Sequence, residues 1–475
     1  MTEDGLFQEL VSVLEPHNQG HLLAFWPDLT PEKRAYLAQA VRGLDLPLID
    51  HWITDYVKSE ASINIPSHFD PAPVYTAHPT DPSQQEKYAQ ARARGRELIA
   101  AGKVGAFVVA GGQGTRLGFD GPKGNYAASP IKTKSLFQLF AEAILAVRQR
   151  YQTQCPWYIM TSPLNHQETV EIFKARGYFS LPEEDVFIFQ QGTLPNFGFD
   201  GQILMTEKDT LAQSPDGHGG SLKALFDSDA ITDMKARNVE YLSYWQVDNP
   251  LINIFDPLFI GLHVLDQAEM SSKAIKKTSP KEKVGNFCLV DDKVTVVEYS
   301  DLPDPIAEQR DADGKLLFEM GSIGIHLINR DFIETLNQGG FGLPLHRAVK
   351  KIPFVGPTGQ CVDPETPNGV KLETFVFDAL PLAKHSIILE TERAEEFAPI
   401  KNAIGVDSAE SSRQMMIDRA ARWLESAGVN VPRKPTGEVA CDLEIAASFA
   451  LEPKDLLAKR ESLPVLKPGH SYYLE

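Results

Sequence analysis

A short apolar run that breaks abruptly into glycines does most to limit what this chain can fold into. Val104-Gly105-Ala106-Phe107-Val108-Val109-Ala110 is rich in β-branched and apolar residues and reads as a buried parallel strand. It runs into Gly111-Gly112-Gln113-Gly114-Thr115-Arg116-Leu117-Gly118, with Pro122-Lys123-Gly124 just behind. A strand that ends in such a loop leaves backbone N–H groups open to close approach, because no side chain stands over them. Arg116 and Lys123 add positive charge. The combination predicts a seat for a polyphosphate, against the plain alternative of a tight turn. Two common phosphate motifs are excluded. The loop lacks the Gly-Lys-Ser/Thr ending of a P-loop, and Leu117 stands where a Gly-x-Gly-x-x-Gly fingerprint requires its third glycine.

The rest of the chain fits an α/β protein. Its 475 residues predict two or three domains. Residues 1–100 read as a mainly helical region, with Thr30-Pro31-Glu32 as a helix start and Ile63 to Ser83 as a connector. Residues 101–389 alternate strands with helices. Strands are expected at Trp157–Met160, Val186–Phe189, Glu240–Val247, 284–300 and 316–328, and helices at Gln84–Ala101, Leu136–Tyr151 and Asn165–Arg176. That alternation predicts a mostly parallel sheet flanked by helices, with ligands beyond the carboxyl ends of the strands. Residues 390–475 read as a small C-terminal domain with a helix near Ser411 to Gly428. Its later prolines limit further helix, and it is suited to a subunit contact.

Composition narrows the partners. Lys+Arg of 46 against Asp+Glu of 64 leaves a net charge of −18, which disfavours nucleic acid and anionic membrane surfaces. Anionic substrates then require the basic residues to be gathered in one place. Cys155, Cys288, Cys361 and Cys441 are widely spaced and are expected to be reduced thiols rather than a disulfide frame or zinc site. With no apolar leader and no run of transmembrane length, the expected location is cytoplasmic.

Further segments carry possible chemistry. Gln190-Gln191-Gly192 follows a strand, and a Gln amide suits the donor–acceptor edge of uracil, although loop glutamines are commonly solvated. Ser214-Pro215-Asp216-Gly217-His218-Gly219-Gly220-Ser221 is a second glycine loop. It would admit a flat base or a sugar, with His218 either bonding a ligand or packing on its neighbours. Asp248, in Val247-Asp248-Asn249, ends a strand and suits Mg²⁺, which takes one or two carboxylates plus phosphate oxygens; the bland reading is a helix cap. Lys371 to Asp378 alternates like an edge strand, in which Phe375 and Phe377 could be core, and Lys401 sits in a turn as a possible solvated charge.

In order along the chain, these segments resemble the eukaryotic-type UDP-N-acetylhexosamine and UDP-sugar pyrophosphorylases. The matched pieces include Ala110 to Gly118, Pro122-Lys123-Gly124, Lys134-Ser135-Leu136-Phe137-Gln138, Gln191 with Leu194-Pro195, Pro215-Asp216-Gly217 and Val247-Asp248-Asn249. Val297-Glu298-Tyr299-Ser300, Pro367-Asn368-Gly369, Phe375-Val376-Phe377-Asp378 and Lys401-Asn402 continue the series. The resemblance implies a Rossmann-like, glycosyltransferase-A-like nucleotidyltransferase acting on UTP and a sugar-1-phosphate with Mg²⁺, as a monomer or homodimer. It implies that Ala110, Gly111, Gly112, Gln191 and Gly217 hold the uridine. Arg116, Lys123 and Lys401 would serve the phosphates, and Asp248 the metal. His218, Glu298, Ser322, Phe375 and Phe377 would lie around the sugar. His218 and Ser322 depart from the family's usual Asn residues. N-acetylglucosamine-1-phosphate is the expected acceptor, with glucose-1-phosphate or a broad sugar range as alternatives. A silent nucleotide-sugar sensor is the non-enzymatic one.

Overall fold

A computed structural model describes residues 3–59 and 69–475. Met1, Thr2 and residues 63–68 of the expected connector fall outside them. The chain divides into two compact units.

The larger unit, residues 69–191, 221–342 and 377–475, is built on a ten-stranded sheet. Its strands are β1 (Asp70–Pro71), β2 (Val104–Val109), β3 (Trp157–Thr161), β4 (Val186–Gln190) and β5 (Tyr241–Gln246). They continue with β6 (Met270–Lys276), β7 (Gly285–Val290), β8 (Lys293–Val297), β9 (Met320–Asn329) and β10 (Ile388–Glu390). The order along the sheet is β1-β7-β9-β5-β2-β3-β4, with β6 paired to β9 and β10, and β8 to β7. The run β5-β2-β3-β4 is parallel. Strand β9 joins it antiparallel to β5, and β7 and β8 form an antiparallel hairpin beyond.

The parallel run forms where the sequence is most continuously apolar. Val104, Ala106, Phe107 and Val108 are all buried to within 1%. Helices α1 (Pro82–Ala100), α2 (Leu136–Tyr151), α3 (His166–Ala175), α4 (Pro257–Leu265) and α5 (Ala409–Ser426) belong to the same unit. Ser135 caps α2 by accepting from Gln138 N, and Phe137, Phe140 and Ile144 recur on its core face. Phe140 meets Trp245 of β5 edge-on at 5.3 Å. Burying each such aromatic contributes about 2–3 kcal/mol. Helices α1 and α4 approach through glycines: a Cβ on Gly95 would lie 2.0 Å from Pro257 O, and one on Gly261 1.7 Å from Ala91 O. Nothing in the charged pattern of α1 signals this contact. In the C-terminal stretch, Asp442–Ile445 pairs in parallel with Ser471–Leu474. All four cysteines are free thiols.

The smaller unit comprises residues 3–59, 192–220 and 343–376. Thr30 caps the helix Pro31–Arg42, as Thr-Pro-Glu predicts. Leu10, Leu14, Leu37, Val41 and Ile49 pack with Phe197, Ile203, Val370 and Leu372. Residues distant in sequence thus share a single core.

Three expected strands differ, the first being 284–300, which folds as the hairpin of β7 and β8. Gly369–Glu373 is the middle strand of a three-stranded sheet, between His346–Lys350 and Phe197–Gly198, so it is no edge. It ends at Glu373, and Phe377 lies in the following turn, Val376–Leu382. The strand expected from residue 316 begins at Met320. Ahead of it, the Asp311 carboxylate accepts from Asp313 N and Lys315 N at 2.9 Å each, closing a turn.

Candidate active site

The carboxyl ends of β2 and β5 lie side by side, Val109 opposite Gln246, where the strand order reverses. Ligands bind at such switch points in open α/β sheets. The glycine loop leaves β2 here. Ala110 N donates to Met160 O at 2.8 Å, which finishes the sheet pairing. Lys123 N then donates to Gly112 O at 3.1 Å, and Gly114 N to Gly121 O at 2.9 Å, folding the loop back on itself. Among the described residues, the N–H groups of Gly111, Gly112 and Gln113 meet no protein acceptor. Three successive backbone donors left open in this way suit an anion. Gly118 takes a φ of +68°, which favours glycine. A Cβ on Gly111 would lie 2.7 Å from Gln191 Oε1, so a side chain there would displace the Gln191 carboxamide.

Charge concentrates just beyond. Asp248 follows β5 with its side chain 10% exposed, and Lys123 Nζ stands 3.8 Å from its Oδ2. Lys401 is exposed, and its neighbour Ile400 donates N–H to Asp248 O at 2.9 Å. Arg116 is exposed and pairs with no carboxylate among the described residues. A carboxylate with one lysine beside it can take part in holding a hard divalent ion whose other ligands are phosphate oxygens. The described residues contain no cluster of three or more His, Cys, Asp or Glu to hold a metal unaided. Burial pushes the Asp407 carboxyl above the usual carboxylate range, opposed by Lys401 and Arg393 and reinforced by Asp248.

Glu298, which follows β8, and Ser322 of β9 both lie near Gly285 of β7. Ser322 is opposite Gly285, and a Cβ on Gly285 would lie 3.3 Å from Glu298 Oε1 and 3.8 Å from Ser322 Cβ. The same Cβ would lie 2.5 Å from Val296 Cγ1, so glycine here admits the packing of Val296. Phe377 is buried at 7% exposure.

The smaller unit holds Gly217, His218 and Phe375. Gly217 has a φ of +85°, and a Cβ there would lie 2.3 Å from Thr374 O. Thr374 N and Oγ1 both donate to Asp216 O at 2.8 Å. His218 accepts at Nδ1 from Val376 N at 3.1 Å, and its ring stacks on Phe375 at 5.2 Å, with His346 on Phe375 at 4.2 Å. His218 is thus packed on neighbours in the manner of the bland reading.

Sequence reasoning missed three supporting residues. Asn165, 1% exposed, donates from Nδ2 to Ala110 O and Gly112 O at 2.9 and 3.2 Å, holding the glycine loop. Its only sequence signal was a helix start. Lys277, 8% exposed, donates to Asn286 of β7. Asn249 had a motif signal beside Asp248 and was given no role. A cavity of about 290 Å³ elsewhere in the larger unit, beside Trp423, Arg419 and Glu444, contains none of the expected site residues.

Known proteins resemble this chain in sequence and in fold. Residues 70–434 match the family described as UTP–glucose-1-phosphate uridylyltransferase. The chain is 37% identical over 438 residues to the human UDP-N-acetylhexosamine pyrophosphorylase-like protein 1, covering 89% of this chain and 86% of that one. It is 38% identical to the Saccharomyces cerevisiae UDP-N-acetylglucosamine pyrophosphorylase, over 78% of this chain and 80% of that one. A crystal structure of a protein described as a UDP-N-acetylglucosamine pyrophosphorylase from Entamoeba histolytica superposes with a TM-score of 0.74 at 30% identity, over 86% of this chain and 99% of that one. The Trypanosoma brucei enzyme of the same description shares the fold, with a TM-score of 0.83 at 24% identity over 100% and 98% of the two chains. The chain belongs to the UTP–glucose-1-phosphate uridylyltransferase family of nucleotidyltransferases.

Proposed function

We propose that the protein transfers the uridylyl group of UTP to N-acetylglucosamine-1-phosphate, forming UDP-N-acetylglucosamine and pyrophosphate. The observation that carries this is the open-donor glycine loop with Lys123 3.8 Å from Asp248 at the carboxyl ends of adjoining parallel strands. A phosphate oxygen of the acceptor attacks the α-phosphorus of UTP. The bond from that phosphorus to the bridging oxygen breaks in line, and its electron pair leaves with pyrophosphate. The attacking oxygen is already ionised, so no protein nucleophile or base is required, and catalysis is positioning plus charge neutralisation.

Ala110, Gly111, Gly112 and Gln191 hold the uridine end of the nucleotide. Arg116 and Lys123 bind the departing pyrophosphate, and Lys401 offsets charge on the phosphates. Gly217 supports the uridine, and Glu298 and Ser322 address the sugar hydroxyls and acetamide, with His218, Phe375 and Phe377 as further sugar-side residues. Asp248 would hold Mg²⁺, which when bound offsets phosphate charge as a Lewis acid.

A second reading, glucose-1-phosphate as acceptor, is favoured by His218 and Ser322, which stand where the resemblance to the N-acetylhexosamine enzymes implies Asn. The names of the relatives favour the N-acetyl sugar. The test is pyrophosphate release from UTP and Mg²⁺ with a panel of sugar-1-phosphates. Release highest with N-acetylglucosamine-1-phosphate is expected. Preference for glucose-1-phosphate would transfer the assignment, and no release with any acceptor would overturn the enzymatic reading.

A further inference from the structure

Lys401 sits on a stretch without regular secondary structure, between the short helix Arg393–Glu396 and α5. A cation on an irregular segment is useful in a charged transition state only if the backbone beneath it is fixed. The side chain that fixes it is Asn249, 3% exposed. Its Nδ2 donates to Glu396 O at 2.7 Å, and its Oδ1 accepts from Ala398 N at 3.1 Å and from Leu251 N at 3.3 Å. The neighbouring Asp248 O accepts from Ile400 N at 2.9 Å. The turn that carries Asp248 and the segment that carries Lys401 are therefore joined at residues 396, 398 and 400.

The far end of this clamp is anchored in the core. The Glu396 carboxylate, 6% exposed, accepts from Lys273 Nζ at 2.7 and 2.6 Å, from Asn253 N at 3.1 Å and from Thr391 Oγ1 at 2.6 Å. Lys273, 1% exposed on β6, also pairs with Asp256 at 2.7 Å, and Asp256 caps α4 through Leu258 N. Ser412 Oγ of α5 donates to Ala398 O at 2.7 Å. A buried ion triad with every donor answered costs desolvation energy but fixes one geometry. Lys401 itself is exposed, and its N donates to Asp407 O at 2.6 Å. Its backbone is thus held between the clamped residues 396–400 and Asp407.

We propose that Asn249 is a positioning residue: its carboxamide sets where Lys401 stands relative to Asp248 during uridylyl transfer. This rests on the reading that those two residues serve the phosphates. Asn249 touches no reacting atom in this account; it acts through the segment.

The test combines a kinetic cycle with amide hydrogen exchange. Asn249→Ala should lower kcat for pyrophosphate release about 10–100-fold, the scale of a small misplacement at a reacting centre. In a Lys401→Ala background the same change should alter kcat less than twofold, because the residue it positions is gone. In the single variant, exchange at the Ile400 amide should accelerate at least tenfold, although its own acceptor, Asp248 O, is untouched. The Val108 amide in β2 should keep its protection, which separates loss of the clamp from general destabilisation. If Asn249→Ala does not fold, Asn249→Ser, which is too short to bridge both partners, carries the same measurements. Effects on kcat that multiply in the double variant would overturn the proposal. Unchanged exchange at Ile400 would overturn the clamp alone, and wild-type turnover in Lys401→Ala would overturn the reading on which it rests.

Discussion

The chain has two glycine-rich loops, and they owe their glycines to different causes. At Gly112 a side chain would meet only Lys123 Cδ at 3.9 Å, and at Gly118 nothing lies within 4 Å. At Gly217, Gly219 and Gly220 it would strike Thr374, Phe375 or Asp216 within 2.8 Å. In the first loop, Gly111 and Gly114 are also crowded, by Gln191 Oε1 at 2.7 Å and Phe119 Cδ1 at 2.6 Å, and it is Gly112 and Gly118 that keep space open around the loop's backbone. In the second, space is already filled by the chain itself, and glycine is demanded by folding. Glycine density by itself does not distinguish a ligand seat from a tightly packed turn. The test is what a Cβ would meet.

The predicted effects of substitution fall into an order that this contrast sets. The largest belongs to the charges beside the open loop: Lys123→Ala or Asp248→Ala should reduce turnover by roughly three powers of ten, about 4 kcal/mol of transition-state stabilisation. Steady-state pyrophosphate assays read this, and near-wild-type turnover would remove the residue from the mechanism. Gly217→Ala should act on the fold: strain at positive φ and the collision with Thr374 each cost about 1–3 kcal/mol. A denaturant midpoint equal to wild type would show that the packed loop yields easily. Gly112→Ala should leave stability within about 0.5 kcal/mol and raise KM for UTP about tenfold, since a methyl group would screen the open N–H groups. Equal loss of stability at Gly112 and Gly217 would erase the distinction between the loops. The smallest effect is expected from His218→Asn and Ser322→Asn, which should shift the preference between N-acetylglucosamine-1-phosphate and glucose-1-phosphate about tenfold, read as a ratio of kcat/KM values.

Legibility in the sequence followed how local each feature is. The parallel strands were readable because apolar runs such as Trp157–Met160 are buried on both faces, and Leu136–Tyr151 because its cap and periodicity agree. That Asp248 would follow a strand was readable for the same reason. The grouping of Leu10 and Leu37 with Val370 and Leu372 was not, because that core is assembled from segments hundreds of positions apart. Lys371–Asp378 reads like an edge strand because alternation reports a strand's two faces and says nothing of its neighbours, whereas the strand is Gly369–Glu373 and lies in the middle of its sheet. Asn165 and Asn249 were passed over because a polar residue after a strand looks like a turn former; what sets them apart is burial and bonding to distant backbone. The contrast between the glycine loops was equally invisible, since Thr374 lies far along the chain from Gly217.

The most direct test of the central claim follows the configuration at phosphorus. UTP carrying a single sulfur on its α-phosphate, as one diastereomer, would be converted with N-acetylglucosamine-1-phosphate and Mg²⁺, and the product's α-phosphorus configuration read by ³¹P NMR. A single in-line displacement, with the protein supplying only position and charge, predicts inversion. Retention would reveal a uridylyl group held covalently on the protein between two displacements, and would contradict the account.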